Sequence, residues 1–200
     1  LALLHRLRSL GIRIALDEWN YWYGPNEYGE LGTQYFLQDG LGIAAGLHEL
    51  FRNSDLYFMA NYAQTVNVIG AIKTTPTAAE MEATGLALAL YRRHFGTLPV
   101  KVAGAPAPID VAAAWTADRS ALTVAIVNPT AEARRVKLDL AGAAVSGRAR
   151  RFVLTGPDRF SHNAPGRPRG VSVTETSLSQ GGDTVESPPL SVVLHVLPLR

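Results

Sequence analysis

Two short stretches hold most of the chemically capable side chains. Asp17-Glu18-Trp19-Asn20 closes the apolar run Ile12-Arg13-Ile14-Ala15-Leu16, and Asn61-Tyr62-Ala63-Gln64 closes the apolar run Leu56 to Ala60. A carboxylate at a strand end beside indoles suits sugar chemistry. It can attack or stabilise an oxocarbenium-like centre, while aromatic faces pack on a sugar ring and amides bond its hydroxyls. The spacing alone also permits a plainer reading, with Asp17 and Glu18 as helix-capping or salt-bridging acids.

The elements that must position these residues follow from periodicity. Ala2 to Leu10 has helical spacing and stops at Gly11, a usual residue just past a helix. The spacing of Leu37, Leu41, Ala44, Leu47 and Phe51 predicts a helix over 34–52, after a Gly- and Pro-containing loop from Tyr23 to about Thr33. Val66 to Ile72 is ambiguous between strand and irregular chain. A further helix, with Met81, Leu88, Tyr91 and Phe95 on its buried face, starts at a Thr75-Pro76 cap or a Thr77/Glu80 capping box and ends at Gly96. This order, strand–loop–helix twice over, is the connectivity of a parallel sheet or barrel, whose chemistry gathers at the C-terminal strand ends.

The texture changes near residue 97. Pro99, Pro106 and Pro108 mark a linker, after which Leu122-Val124-Ile126, Val136-Leu138-Leu140 and Leu190-Val192-Leu194-Val196 alternate with period two. Asn128-Pro129, Gly156-Pro157 and Gly181-Gly182 supply turns, and 156–170 reads as a long surface loop. An antiparallel sandwich with one face of each sheet buried is expected. The domains are therefore expected at 1–97 and 98–200.

Composition narrows the remaining classes. The chain has 200 residues, 47% hydrophobic and 18% charged, with no cysteine. Thiol catalysis, disulfides and thiolate metal sites are excluded, and a reducing, cytoplasmic setting is expected. No apolar run approaches the ~18 residues of a membrane span. A net charge of +2 does not call for nucleic acid; the late arginines, from Arg134 to Arg169, read as a solvated sheet face and loops. His5, His48, His94, His162 and His195 lack metal-ligand spacing, with His48 and His94 expected on helix surfaces or ends. Ser161-His162 has no visible acid partner, and Gly40-Leu41-Gly42 with Gly46 lies in a helical pattern rather than a dinucleotide turn. No metal and no organic cofactor are expected. The opening Leu1-Ala2-Leu3-Leu4-His5-Arg6 reads as a helix entered partway along, so a piece of a longer protein is expected.

At the polar strand ends the sequence resembles a known family. Ile14 to Tyr23, Asp39-Gly40-Leu41, Asn53-Ser54-Asp55 and Met59 to Ile69 resemble, in order and spacing, blocks of glycoside hydrolase family 51, the α-L-arabinofuranosidases. The resemblance covers roughly residues 10–96. It implies the C-terminal part of a (β/α)8 TIM barrel followed by a jelly-roll-like β-sandwich. It also implies a retaining enzyme that releases terminal α-L-arabinofuranosyl residues from oligo- and polysaccharides, as a cytoplasmic homo-oligomer when full-length. By the same resemblance Glu18 is the nucleophile, Trp22 lines the sugar subsite, Gln64 contacts arabinose hydroxyls and Asn61 belongs to the same block. Asp17 and Asn20 are orienting groups; Trp19 either packs behind the strand end or touches substrate. A retaining mechanism needs a second carboxyl about 5 Å from the first. In this family that acid/base glutamate follows an Asn upstream of the nucleophile, and no counterpart precedes Glu18 here. Asn26-Glu27 imitates the dipeptide from the wrong side, and Glu27 reads as a loop acid. The fragment alone is expected to be inactive. Two other readings stay open: another glycosidase on the same scaffold, acting on a β-glucan or xyloside, and a non-catalytic carbohydrate-binding remnant.

Overall fold

The computed structural model describes residues 2–23, 29–178 and 183–199. Glu27 and the Gly181-Gly182 turn lie outside the described residues. The chain opens with helix α1 (Ala2–Ser9), strand β1 (Ile14–Trp19), helix α2 (Leu37–Arg52) and strand β2 (Tyr57–Tyr62). β1 and β2 pair in parallel, with Ile14 opposite Tyr57 and Trp19 opposite Tyr62, so α2 is the crossover of a βαβ unit. Strands β3 (Ile72–Thr74) and β4 (Ala79–Met81) form a hairpin that leads into helix α3 (Ala83–His94).

The hairpin corrects the expected start of the second long helix. Thr75-Pro76 begins a tight turn, in which Thr75 N–H donates to Ala78 O at 2.8 Å, and proline suits the second position of such a turn. Met81 therefore lies in a strand, and α3 begins only after Glu82. Val66 to Ile72 is irregular and carries a single bridge, Val66 to Ile72.

The remaining strands are β5 (Leu98–Val100), β6 (Asp110–Trp115), β7 (Ala121–Asn128), β8 (Arg134–Lys137), β9 (Ala149–Thr155), β10 (Ser172–Leu178), β11 (Thr184–Ser187) and β12 (Ser191–Pro198). Six of them make one antiparallel sheet in the order β10-β9-β12-β7-β6-β5, and β11 pairs with β8 in a second. The sandwich is thus unequal, and its large sheet is covered twice. Ala125, Val127, Leu154, Val192 and Leu194 pack against Leu37, Leu41, Ala44, Ala87 and Tyr91 of the helices. Val111, Val124, Ile126 and Leu197 pack on the other face around Val185 of β11. Every residue of β7 is buried. The expectation of one buried face per sheet fails here because α2 and α3 occupy the face that would otherwise meet water. The 156–170 segment also docks: Ser161 O accepts Leu37 N–H at 2.8 Å and Arg159 O accepts Gln38 N–H at 3.1 Å, in the first turn of α2.

His48 is fully buried rather than on a helix surface. Its Nε2 meets the Tyr91 hydroxyl at 2.5 Å and its Nδ1 lies 3.5 Å from Asp110, which also pairs with Arg52. Burial pushes its pKa down to about 3. Among the late arginines, Arg135 pairs with Glu186 and Arg150 with Glu175 across exposed strand faces, as a solvated sheet predicts.

Gly96 follows α3 without a left-handed turn; its role is space. A Cβ there would sit 2.4 Å from Trp115 O and 2.7 Å from Ala114 O, both backbone atoms. Gly96→Ala should therefore cost about 1–3 kcal/mol in a urea titration, with no helix-propensity gain to offset it. His195, 2% exposed in β12, has both ring nitrogens without hydrogen-bond partners among the described residues. Burial, then Arg151, pulls its pKa down to about 4. The folded chain refuses a proton that the unfolded chain accepts below 6.5, so stability is full above that pH and is lost on the way to about 4. His195→Leu should lose about 2 kcal/mol less than the parent between pH 7 and 5, measured by denaturant unfolding.

Candidate active site

The C-terminal ends of β1 and β2 open on the same side of the βαβ unit. Between them lies a hollow of about 590 Å³ lined by Glu18, Trp19, Asn20, Tyr21, Trp22, Ala63, Gln64, Val68 and Ile69. Glu18, Trp22 and Gln64 are thus brought together. Asn61 is not among the lining residues; it is exposed on β2. Asp17 is exposed and also outside the hollow.

The side chains differ in how they are held. Glu18 is exposed, with no hydrogen bond or ion pair to its carboxylate among the described residues, and Trp22 is 73% exposed. Trp19 packs edge-on against Tyr62 at 6.0 Å and covers Gly46 of α2, and one part of it also lines the hollow. Asn20 is a rivet. Its Nδ2 donates to Ile69 O at 2.6 Å and to the Tyr35 hydroxyl at 2.8 Å, and its Oδ1 accepts Tyr21 N–H at 2.7 Å. The two loops that frame the hollow are therefore joined through one amide.

Behind the hollow lies a buried polar layer. The Tyr35 hydroxyl donates to Tyr21 O at 2.6 Å, and Tyr35 N–H donates to Glu82 Oε1 at 3.0 Å. Lys73 Nζ stands 3.4 Å from Glu82 Oε2 and 5.4 Å from the centre of the Tyr35 ring. Burial raises Glu82 to about 7 and lowers Lys73. Tyr23 donates to Asp39, which also accepts Phe36 N–H at 2.8 Å and so holds the start of α2. Burial raises the Asp39 pKa, against the opposing pull of those two hydrogen bonds. The Tyr21 and Tyr23 rings stack at 6.4 Å. A Cβ on Gly42 would fall 2.0 Å from the Tyr21 hydroxyl, so the glycines of α2 make room for neighbours rather than cradle a phosphate.

Sequence reasoning missed Tyr35, Lys73 and Glu82 altogether. The signal available was a lysine directly after the apolar Val66–Ile72 run, with an acid nearby in a segment assigned to a helix. Among the described residues no three His, Asp or Glu side chains gather where a metal could be held, and no helix is long and apolar enough to cross a membrane.

The arrangement offers one exposed carboxylate, an aromatic flank and an amide on one hollow, which can bind a sugar ring and present an oxygen nucleophile to it. Comparison with known proteins places the chain in a family. The family model described as "Alpha-L-arabinofuranosidase C-terminal domain" matches residues 17–191. "Probable alpha-L-arabinofuranosidase C" of Aspergillus flavus is 29% identical over 187 residues, covering 84% of this chain and 36% of that protein. The protein of the same name from Aspergillus clavatus is 30% identical over 189 residues, with the same shares. The chain thus spans about a third of the length of these relatives. Among solved structures, the Thermotoga maritima α-L-arabinofuranosidase in its arabinose complex superposes with a TM-score of 0.84 at 27% identity, over 98% of this chain and 45% of the other. The family 51 enzyme of Thermotoga petrophila gives 0.80 at 28% identity with the same coverage. Since the family model spans most of its length, the chain belongs to the α-L-arabinofuranosidase C-terminal domain family, within glycoside hydrolase family 51.

Proposed function

We propose that this chain is the C-terminal part of a retaining α-L-arabinofuranosidase and that Glu18 is its nucleophile. The observation that carries the reading is the convergence of Glu18, Trp22 and Gln64 on one sugar-sized hollow at the parallel strand ends. Glu18 attacks the anomeric carbon of a terminal arabinofuranosyl residue and forms a covalent glycosyl-enzyme, which water then hydrolyses. Trp22 packs on the C–H face of the sugar, and Gln64 bonds its hydroxyls. Asn61 serves the same block from β2 without lining the hollow.

Residues 1–97 are proposed as strands and helices of a (β/α)8 barrel, with 98–200 as the sandwich behind it. The parallel βαβ unit supports this, as do Phe58, 54% exposed, and Met59, 38% exposed, on a strand pair with open edges among the described residues. Apolar side chains and unpaired edges of this kind call for further strands. Among the described residues that line the hollow, Glu18 alone carries a carboxyl. The reading therefore takes the acid that protonates the leaving oxygen and later activates water from upstream of Glu18, where the family resemblance puts it.

Binding and chemistry separate in the test. Titration with L-arabinose, followed by NMR, should shift the Trp22 indole and Gln64 amide signals and leave β7 and β12 unmoved. Trp22→Ala should raise the Kd about fivefold, since a stacked aromatic contributes on the order of 1 kcal/mol. An aryl α-L-arabinofuranoside should not be turned over by residues 1–200 alone. Hydrolysis that Glu18→Ala abolishes would overturn the account of the second acid, and arabinose shifts confined to the sandwich would overturn the site itself.

A further inference from the structure

The loop that carries Gln64 to the hollow is a strained piece of chain. Gln64, Asn67 and Val68 have φ values of 60°, 55° and 46°, the left-handed region that non-glycine residues avoid and β-branched ones avoid most. Each such residue costs about 1–3 kcal/mol and persists only where its surroundings over-determine it. The surroundings here converge on Val68 and Ile69. Val68 O accepts Thr33 N–H at 2.7 Å and Lys73 Nζ at 3.0 Å. Gly32 lies so close beneath that a Cβ would sit 2.2 Å from Val68 Cα. Ile69 O is held by Asn20, and Ile69 N–H points back at Gln64 Oε1 at 3.4 Å.

Lys73 is the unusual member of this set. It is 2% exposed, and its Glu82 partner is 1% exposed. A buried ion pair is a poor way to gain stability, because desolvation consumes the Coulombic gain and a neutral replacement of similar shape often folds as well or better. The shorter of the ammonium's two contacts is also not to the carboxylate: it reaches Val68 O at 3.0 Å and Glu82 Oε2 only at 3.4 Å. Glu82 keeps the ammonium in place and ties it to Tyr35 N–H, while Lys73 itself lines no part of the hollow.

We propose that Lys73, steadied by Glu82, is a positioning residue that clamps the left-handed 64–69 loop so that Gln64 meets the sugar. Its effect on binding rests on the arabinose reading of the hollow; its effect on the loop does not. The test is the double variant Lys73→Met with Glu82→Gln, which leaves no lone buried charge and keeps an acceptor for Tyr35 N–H. Lys73→Arg, which keeps a cation, serves as the rescue. Amide exchange of Thr33 and Ile69 should speed up at least about tenfold in the double variant, with Val124 and Leu194 amides unchanged, and the Kd for L-arabinose should rise at least about tenfold. Lys73→Arg should recover most of both. Unchanged Thr33 and Ile69 exchange in the folded double variant would overturn the clamp. Loss of protection throughout the large sheet would also overturn it, by making the pair a stability element. If the parent chain binds no arabinose while the Thr33 and Ile69 amides respond as expected, the clamp stands and the substrate reading falls.

Discussion

The double burial of the large sheet is the constraint on which the rest depends. A strand such as β7, buried along its whole length, needs a cover on each side, and on one side that cover is α2 and α3. Leu37, Leu41 and Ala44 of α2 lie in the same apolar cluster as Val127, Val192 and Leu194. The helix that seals the sandwich is also the crossover between β1 and β2. Fixing α2 therefore fixes where both strands end and where Glu18 and Gln64 emerge. A polar joint reinforces this contact, with His48 held between Tyr91 of α3 and Asp110 of β6, and Arg52 closing on the same aspartate. Burial on this scale outweighs any single hydrogen bond at the rim, so the site inherits its geometry from that core, which reaches it through Trp19, packed against the cluster while lining the hollow.

What could be read in the amino-acid order was local. Asp17-Glu18-Trp19-Asn20 after an apolar run announces a strand that ends in polar side chains, and Ala63-Gln64 repeats the signal after β2. The periodicity of Leu37, Leu41 and Ala44 gives α2 to within its first turn. The illegible part was nonlocal or depended on a neighbour's geometry. Tyr35 meets Glu82 across 47 positions, and no spacing rule joins them. His48 has the period of a helix surface only until the sandwich is placed over it. Thr75-Pro76 satisfies the rules for a helix cap and for a turn equally well, and the pairing of β3 with β4 decides between them.

The site divides its labour in a way that suits the nucleophile proposed for it. Glu18 is exposed and free of hydrogen bonds among the described residues, whereas the groups behind it are buried and paired. A nucleophilic carboxylate is weakened by donors that stabilise its charge before reaction, so an unencumbered oxygen pair is the useful state. The order must then be supplied by neighbours, and the Asn20–Tyr35–Ile69 bonds supply it at one remove.

The same logic explains why strain and buried charge occur together at 64–82. A relaxed loop could be held by apolar packing, which is non-directional and tolerates small shifts. A loop forced into three left-handed residues relaxes unless particular carbonyls are gripped, and a grip requires directional donors. Thr33 N–H, Asn20 Nδ2 and Lys73 Nζ are those donors, each on a different segment. Of the three, only the ammonium needs a counter-charge to remain buried, and Glu82 meets that need while tying the assembly to Tyr35. Polar burial that adds little to stability can in this way set the geometry of a neighbouring amide.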